Sequence, residues 1–420
     1  MSKNKKEQTN ASIPYEYTPI AYELPEIKDD IFDYKIDPQF SSNSDYPKFS
    51  FGFHHYYHQS KNKMIITEKF EGKKKVYNIM HPFEIHIDDY EDDISNTSIS
   101  YFGLKNKSDI INNNFCGLWE MILMFDLIPT NKSGFISTHL GKNRSFVQAI
   151  KFYRNMFSKK NVSKKDKYDI IKNFNSGKIK NSASKNKNLL FKPSKTSLSR
   201  TWLVTAEGGS WINESTQEPE VFNLILGEVI TALKIQAKNG NFICKIFESF
   251  TQTTVKLICV LLSFYKNVQI VKPNMSYDSD SEKYLVCIGY KGPNNKKIKM
   301  LENMLELSYK KKSKHIVDFF PEFKILHDII AAVTEININV ANRQFVRINE
   351  IVDFIKKESY RGEEYHNQRE IQIEATKYWL DRFFFDSKKY INKKKQIMDS
   401  IKVLIKKNNK SIHKMDEIIE

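Results

Sequence analysis

The 420-residue chain carries 66 Lys+Arg against 50 Asp+Glu, a formal net charge of +16, and 40% of its residues are hydrophobic. That length accommodates one large domain or two to three ordinary ones with real cores, and the basic balance favours polyanionic partners such as nucleic acid. Four scattered cysteines without a CxxC pair argue against a zinc site, and no apolar run approaches the roughly 20 residues of a membrane helix. The polar, lysine-rich N-terminus has no signal-peptide hydrophobic stretch, so a protein that is not secreted is expected.

In chain order, residues 1–45 are polar and punctuated by Pro14, Pro19, Pro25 and Pro38, which predicts an extended, poorly ordered arm. Residues 46–109 read as a β-rich extension. Alternation over Met64–Glu71, a Gly72-Lys-Lys-Lys75 turn and Val76–Met80 predict a hairpin, and the acidic run Asp88–Asp93 a solvated loop. Helical spacing over 115–130 stops before Pro129; Phe135–Leu140 is a short strand, and Ser145–Phe157 an amphipathic helix. Residues 151–200 hold 15 basic residues against two acids, Asp166 and Asp169, so a basic insert at about 158–200 is expected as loop. Strands at 203–205, 242–247, 268–271 and 284–288 alternate with helices at 219–238 and 252–266. Alternation of this length predicts a mostly parallel sheet covered on both faces. From 296 to 420 the pattern is helical, at 299–311, 321–335, 345–358, 366–384 and 388–408.

The run Trp202-Leu-Val-Thr-Ala-Glu-Gly-Gly209, then Gly240-Asn-Phe-Ile-Cys-Lys-Ile-Phe-Glu248, then Ser281-Glu-Lys-Tyr-Leu-Val-Cys287 resembles the FtsJ-like ribose 2'-O-methyltransferases, and most closely cap-methyltransferase-like proteins of large DNA viruses. The resemblance implies an α/β fold over 110–295: a Rossmann-like methyltransferase sheet with helices on both faces. To this are added the N-terminal β-rich extension and the C-terminal helical region. It also implies catalytic roles for Lys245, Glu282 and Glu207, in a family whose tetrad is Lys-Asp-Lys-Glu. Glu207 stands where the family has aspartate, and Gly117 where it has the first lysine, two residues before Trp119-Glu120.

The donor loop departs further. Relatives place a Pro-Gly-Gly-Phe turn after the first strand, because bare backbone can approach the methyl donor. Here His139-Leu-Gly-Lys-Asn-Arg-Ser-Phe146 leaves Gly141 and Ser145 as degenerate cofactor-binding positions, while Lys142 and Arg144 repel a sulfonium cation. Gly177-Lys178-Ile179-Lys180 replaces an acidic pattern. Lys142, Arg144, Lys178, Lys180, Lys185 and Lys187 are therefore the candidate nucleic-acid contacts. Phe53-His-His-Tyr-Tyr-His58 reads as an aromatic cluster about four times more readily than as a ligand set, so no metal is expected. The amphipathic stretch with Ile397, Ile401, Leu404 and Ile405 reads as a helix packing on its own domain.

Two functions follow. The first is a methyltransferase fold that binds no S-adenosylmethionine and is repurposed for RNA or other nucleic-acid binding, or for a structural virion role. The second is an active S-adenosylmethionine-dependent mRNA cap 2'-O-methyltransferase. Either implies RNA, with viral protein partners and a place in a virion or the host cytoplasm by resemblance.

Overall fold

The computed structural model describes residues 17–43, 51–105, 111–141, 144–171, 200–207, 217–311 and 314–419. Its centre is a seven-stranded sheet. The strands are β1 (Ile20–Glu23), β3 (Ile136–Leu140), β4 (Lys167–Ile171), β5 (Thr201–Ala206), β6 (Gln236–Ile246), β7 (Tyr265–Lys272) and β8 (Lys283–Tyr290), in the order β1-β7-β8-β6-β5-β3-β4. The β4–β3–β5–β6 pairs are parallel, whereas β8 runs antiparallel between β6 and β7, and β1 is antiparallel to β7.

Period-two alternation sends successive side chains to opposite faces. Val204, Phe242, Cys244 and Leu285 lie in one core, against α5 (Gln217–Ile235), α6 (Gln252–Phe264), α7 (Asn295–Lys310) and α8 (His327–Lys356). Their neighbours Leu203, Ile243, Tyr284 and Val286 lie in the other, against α3 (Asn113–Phe125), α4 (Arg144–Phe157), α9 (Glu363–Phe383) and α10 (Tyr390–Ile419). The α/β fold with helices on both faces is thus as the sequence implies, and residues 397, 401 and 405 of α10 are buried on their own domain.

Several expectations need correction. Residues 17–43 of the predicted disordered arm are ordered. Ile20, Ala21 and Tyr22 are buried, and β1 forms the sheet edge beside β7. That edge is covered by α10, whose Asn408 and Asn409 amides donate to the carbonyls of Ala21 (3.0 Å) and Glu23 (3.1 Å), a protection exposed strands need. Residues 46–109 contain no strand among the described residues. Helices α1 (Phe51–Asn62) and α2 (Ile94–Phe102) flank 3₁₀ turns at Lys63–Phe70 and Val76–Met80, where the hairpin was predicted. Alternation there serves packing: Ile79 and Met80 bury against Ile351, Phe354 and Ile355 of α8 rather than against a partner strand. Asp93 caps α2 by accepting from the Asn96 amide (2.6 Å), so it is not loop solvent surface.

The basic insert, expected as loop, carries a 3₁₀ turn at Val162–Lys165 and β4 within it, and residues 172–199, with Lys178, Lys180, Lys185 and Lys187, lie outside the described residues. The C-terminal region is not purely helical: β9 (His315–Asp318) pairs with β2 (Gln39–Ser41). The two helices predicted over 321–358 are one 30-residue helix, α8. Asn337, in the predicted gap, bonds Ser249 Oγ (2.8 Å) and the Ser249 carbonyl (3.1 Å) in the interior.

The buried histidine His139 on β3 sits between Ser137 Oγ (2.9 Å) and Thr205 Oγ1 (2.7 Å). Burial holds it neutral, with its pKa pushed down to about 3. The unfolded chain takes up this proton below about pH 6.5 and the folded one refuses it, so its stabilising contribution is lost as pH falls. His139→Gln should therefore reduce the pH dependence of the unfolding free energy by about 1.4 kcal/mol per pH unit between about pH 6 and 4. Urea titrations across that range check this; an unchanged slope would contradict it.

Candidate functional site

The carboxyl edge of a parallel sheet is where side chains from several strands converge, above all where the chain order reverses. Here β3 connects outward to β4 and β5 inward to β6, so the switch point lies between β3 and β5. Gly141, one residue past β3, has φ of +135°, and Glu207 stands one residue past β5. The Glu207 amide donates to the Leu140 carbonyl (3.4 Å), closing the two strand ends together. A Cβ added to Gly141 would lie 2.6 Å from Glu207 Oε2, so the carboxylate rests on the bare glycine.

Farther along this edge, β6 presents Lys245 opposite Tyr284 of β8. Lys245 Nζ lies 3.4 Å from Glu282 Oε2, while Tyr284 donates its hydroxyl to Glu282 Oε1 (2.7 Å) and orients the carboxylate. Burial works against the Lys245 charge, but Glu282, Glu207 and Asp280 outweigh it and hold its pKa above the ordinary lysine value. The three predicted catalytic residues, Lys245, Glu282 and Glu207, are therefore brought into one electrostatic group, joined by Asp280.

The loop bearing Glu282 is fixed from two sides. Lys272, at the end of β7, donates to the carbonyls of Asp280 (2.7 Å) and Glu282 (3.0 Å). Glu120, fully buried on α3, accepts from the amides of Asn274 and Met275 (both 3.0 Å) and from Trp379 Nε1 (3.0 Å). Burial raises the Glu120 carboxyl to about 7 against these hydrogen bonds. The sequence offered a signal that went unused: one carboxylate inside the apolar run Phe115–Phe125 is rarely buried without partners.

Gly117, in the first-lysine position, packs on the turn after β7; an added Cβ would lie 3.3 Å from Pro273 Cγ. Of the degenerate cofactor positions, Ser145 is buried at the start of α4 and Gly141 is at the switch point. Arg144 is exposed, and Lys142 lies outside the described residues. The histidine segment does form an aromatic cluster: Phe53 and Tyr57 pack with Phe250 and Phe345. It also brings His54 and His58 onto Glu248 (3.8 and 3.3 Å), a convergence the sequence did not disclose.

A doubly covered mixed sheet, parallel over β4-β3-β5-β6 rather than mostly parallel as the alternation predicts, with β8 and β1 antiparallel to their neighbours and a charged group at its switch-point edge, defines a Rossmann-like α/β domain. Residues 131–290 match the FtsJ-like methyltransferase family, and the chain carries an FtsJ-like methyltransferase domain. It is similar to the cap-specific mRNA (nucleoside-2'-O-)-methyltransferase 1 of Caenorhabditis elegans, 31% identical over 186 residues, or 42% of this chain and 20% of that protein. The protein of that name from Leishmania braziliensis is 28% identical over 158 residues, 36% of this chain and 39% of the relative. An inactive cap-specific mRNA (nucleoside-2'-O-)-methyltransferase 1B of Caenorhabditis briggsae is 27% identical over 186 residues, 42% of this chain and 22% of that protein. The chain thus spans about a fifth to two fifths of these relatives.

Removing the Glu120 carboxylate strands three buried donors, each costing about 1–3 kcal/mol. Glu120→Ala should lose at least about 3 kcal/mol of unfolding free energy, whereas Lys245→Ala, at the strand end, should lose less than about 1 kcal/mol. Denaturant midpoints at constant slope measure both, and equal losses would contradict the assignment.

Proposed function

We propose that this chain is an RNA-binding protein built on an FtsJ-like methyltransferase domain whose 2'-O-methyl transfer is impaired. The observation that carries this reading is the Glu207 carboxylate resting on Gly141 at the crevice, with Lys245 drawn into an ion pair with Glu282 (3.4 Å) beside it. A general base must be deprotonated to take a ribose hydroxyl proton, and an ordinary lysine is neutral only about once in several thousand at pH 7. Glu282 and Glu207 push the Lys245 pKa up from there, and Gly117 stands where the family has its first lysine. Glu207 also keeps its carboxylate a methylene away from where aspartate would put it, in a site where about 0.5 Å matters.

The family implies S-adenosylmethionine, which supplies a methyl group bound to a sulfonium. Among the described residues the fit is poor: Gly141, the glycine that offers bare backbone at the crevice, is covered by the Glu207 carboxylate. Calorimetric titration should give S-adenosylmethionine binding weaker than about 100 μM, against the micromolar range ordinary for enzyme substrates. Glu207→Asp, which draws the carboxylate back, should tighten it. One-to-one binding in the low micromolar range by the parent chain would overturn this reading.

RNA contact is assigned to the basic stretch 151–200 and to Lys142 and Arg144, because point charges read backbone rather than base edges. Neutralising Lys178, Lys180, Lys185 and Lys187 together should flatten the log–log salt dependence of RNA binding by up to about three units, with sequence preference weak throughout. If the parent chain binds no nucleic acid, a structural role, for example in a virion, takes first place.

The second reading is an active mRNA cap 2'-O-methyltransferase. The Lys245–Glu282 contact, ordered by Tyr284, favours it, as do the names of the relatives. Under it, Lys245→Ala abolishes methylation of capped RNA while the fold persists.

A further inference from the structure

Helix α1 places His54 and His58 one turn apart, so both imidazoles face the end of β6. Their Nε2 atoms lie 2.9 Å apart, and Glu248 Oε2 is 3.3 Å from His58 Nε2 and 3.8 Å from His54 Nε2. Three atoms with donor lone pairs thus point at one volume. Hydrogen bonding alone satisfies this poorly, since a proton on one Nε2 serves only one of the two acceptors facing it. The other carboxylate oxygen, Glu248 Oε1, is already engaged by Lys61 Nζ (3.1 Å), which leaves Oε2 alone toward the imidazoles. His58 and Glu248 are buried, and Phe250 and Tyr57 wall the site against the two rings.

We propose that His54, His58 and Glu248 form a site for a divalent transition cation, zinc-like in its preferences. Zinc bound to His nitrogen and carboxylate oxygen at about 2.0–2.2 Å in tetrahedral geometry sets its ligand atoms about 3.3 Å apart. The three separations here, 2.9, 3.3 and 3.8 Å, bracket that value. Two nitrogens and one oxygen disfavour calcium and magnesium, which take all-oxygen sets. Three protein ligands leave a fourth position for water. Lys61 on the same carboxylate weakens it as a donor, so the affinity falls below that of a dedicated structural zinc site. The ion would tie α1 to the chain three residues beyond Lys245.

The test is titration of the full, untagged chain with cobalt(II), followed by zinc(II) in competition with a chromophoric chelator. One equivalent should bind with Kd of about 1 μM or tighter. A tetrahedral-type cobalt band should appear without thiolate charge transfer, because the four cysteines are buried elsewhere. Glu248→Gln should weaken uptake more than about 100-fold, beyond what loss of a supporting group alone produces. His54→Phe keeps a ring against Phe250 on a partly exposed position and should do the same, with metal-free melting confirming that the variant folds. Absence of one-equivalent uptake by the parent chain, or uptake unchanged in folded His54→Phe, would overturn the site.

Discussion

One buried carboxylate ties the layers of this protein together. Glu120 sits in the middle of an apolar helix, and a charge or a polar group at that depth is tolerated only with partners. Its partners come from far along the chain: the turn after β7 and the indole of Trp379 on α9. Trp119, its neighbour, donates in turn to the Phe383 carbonyl (3.0 Å), so α3 grips the C-terminal helices by two adjacent residues. The turn it holds leads directly into Asp280 and Glu282. The placement of the candidate catalytic acid thus depends on a residue that never approaches a substrate, and Lys272 completes that placement from the sheet side.

What the edge then presents is Lys245 beside Glu282 and within the field of Glu207 and Asp280. In a partly buried setting this favours the charged ammonium, so the same contacts that order Lys245 also oppose its use as a base. Gly117 packs close to Pro273, so a side chain there needs that ring to give by a few tenths of an ångström. The switch-point crevice follows the same logic. Its glycine persists, but the longer acid beside it covers the backbone the glycine would expose.

Much of this was legible in the sequence, for identifiable reasons. Strands β5, β6, β7 and β8 are buried on both faces and read as apolar runs, so residues 202–292 gave their order and, through the family resemblance, Lys245 and Glu282. Where alternation served a different end, it misled: Met64–Met80 alternates because a layer of turns packs on α8, not because strands pair. The gap predicted between 335 and 345 is helix instead, and the Asn337 amide within it is satisfied 88 residues away in sequence. Edge strands β1 and β4 are short and flanked by proline or lysine, which hides them from periodicity. The Glu120 network and the approach of Glu248 to His54 and His58 depend on partners 154 to 259 residues apart, and no local pattern encodes them.

The charge on Lys245 is the quantity on which the functional reading turns, and it can be observed without any substrate. Heteronuclear NMR of a sample labelled at the lysine ammonium groups, with Lys245 assigned by a Lys245→Arg variant, follows its titration directly. The arrangement of Glu282, Glu207 and Asp280 predicts that Lys245 remains protonated beyond about pH 10.4, the ordinary lysine value. A midpoint near neutrality, with the ammonium discharging at about pH 7–8, would contradict it and restore Lys245 as a working general base.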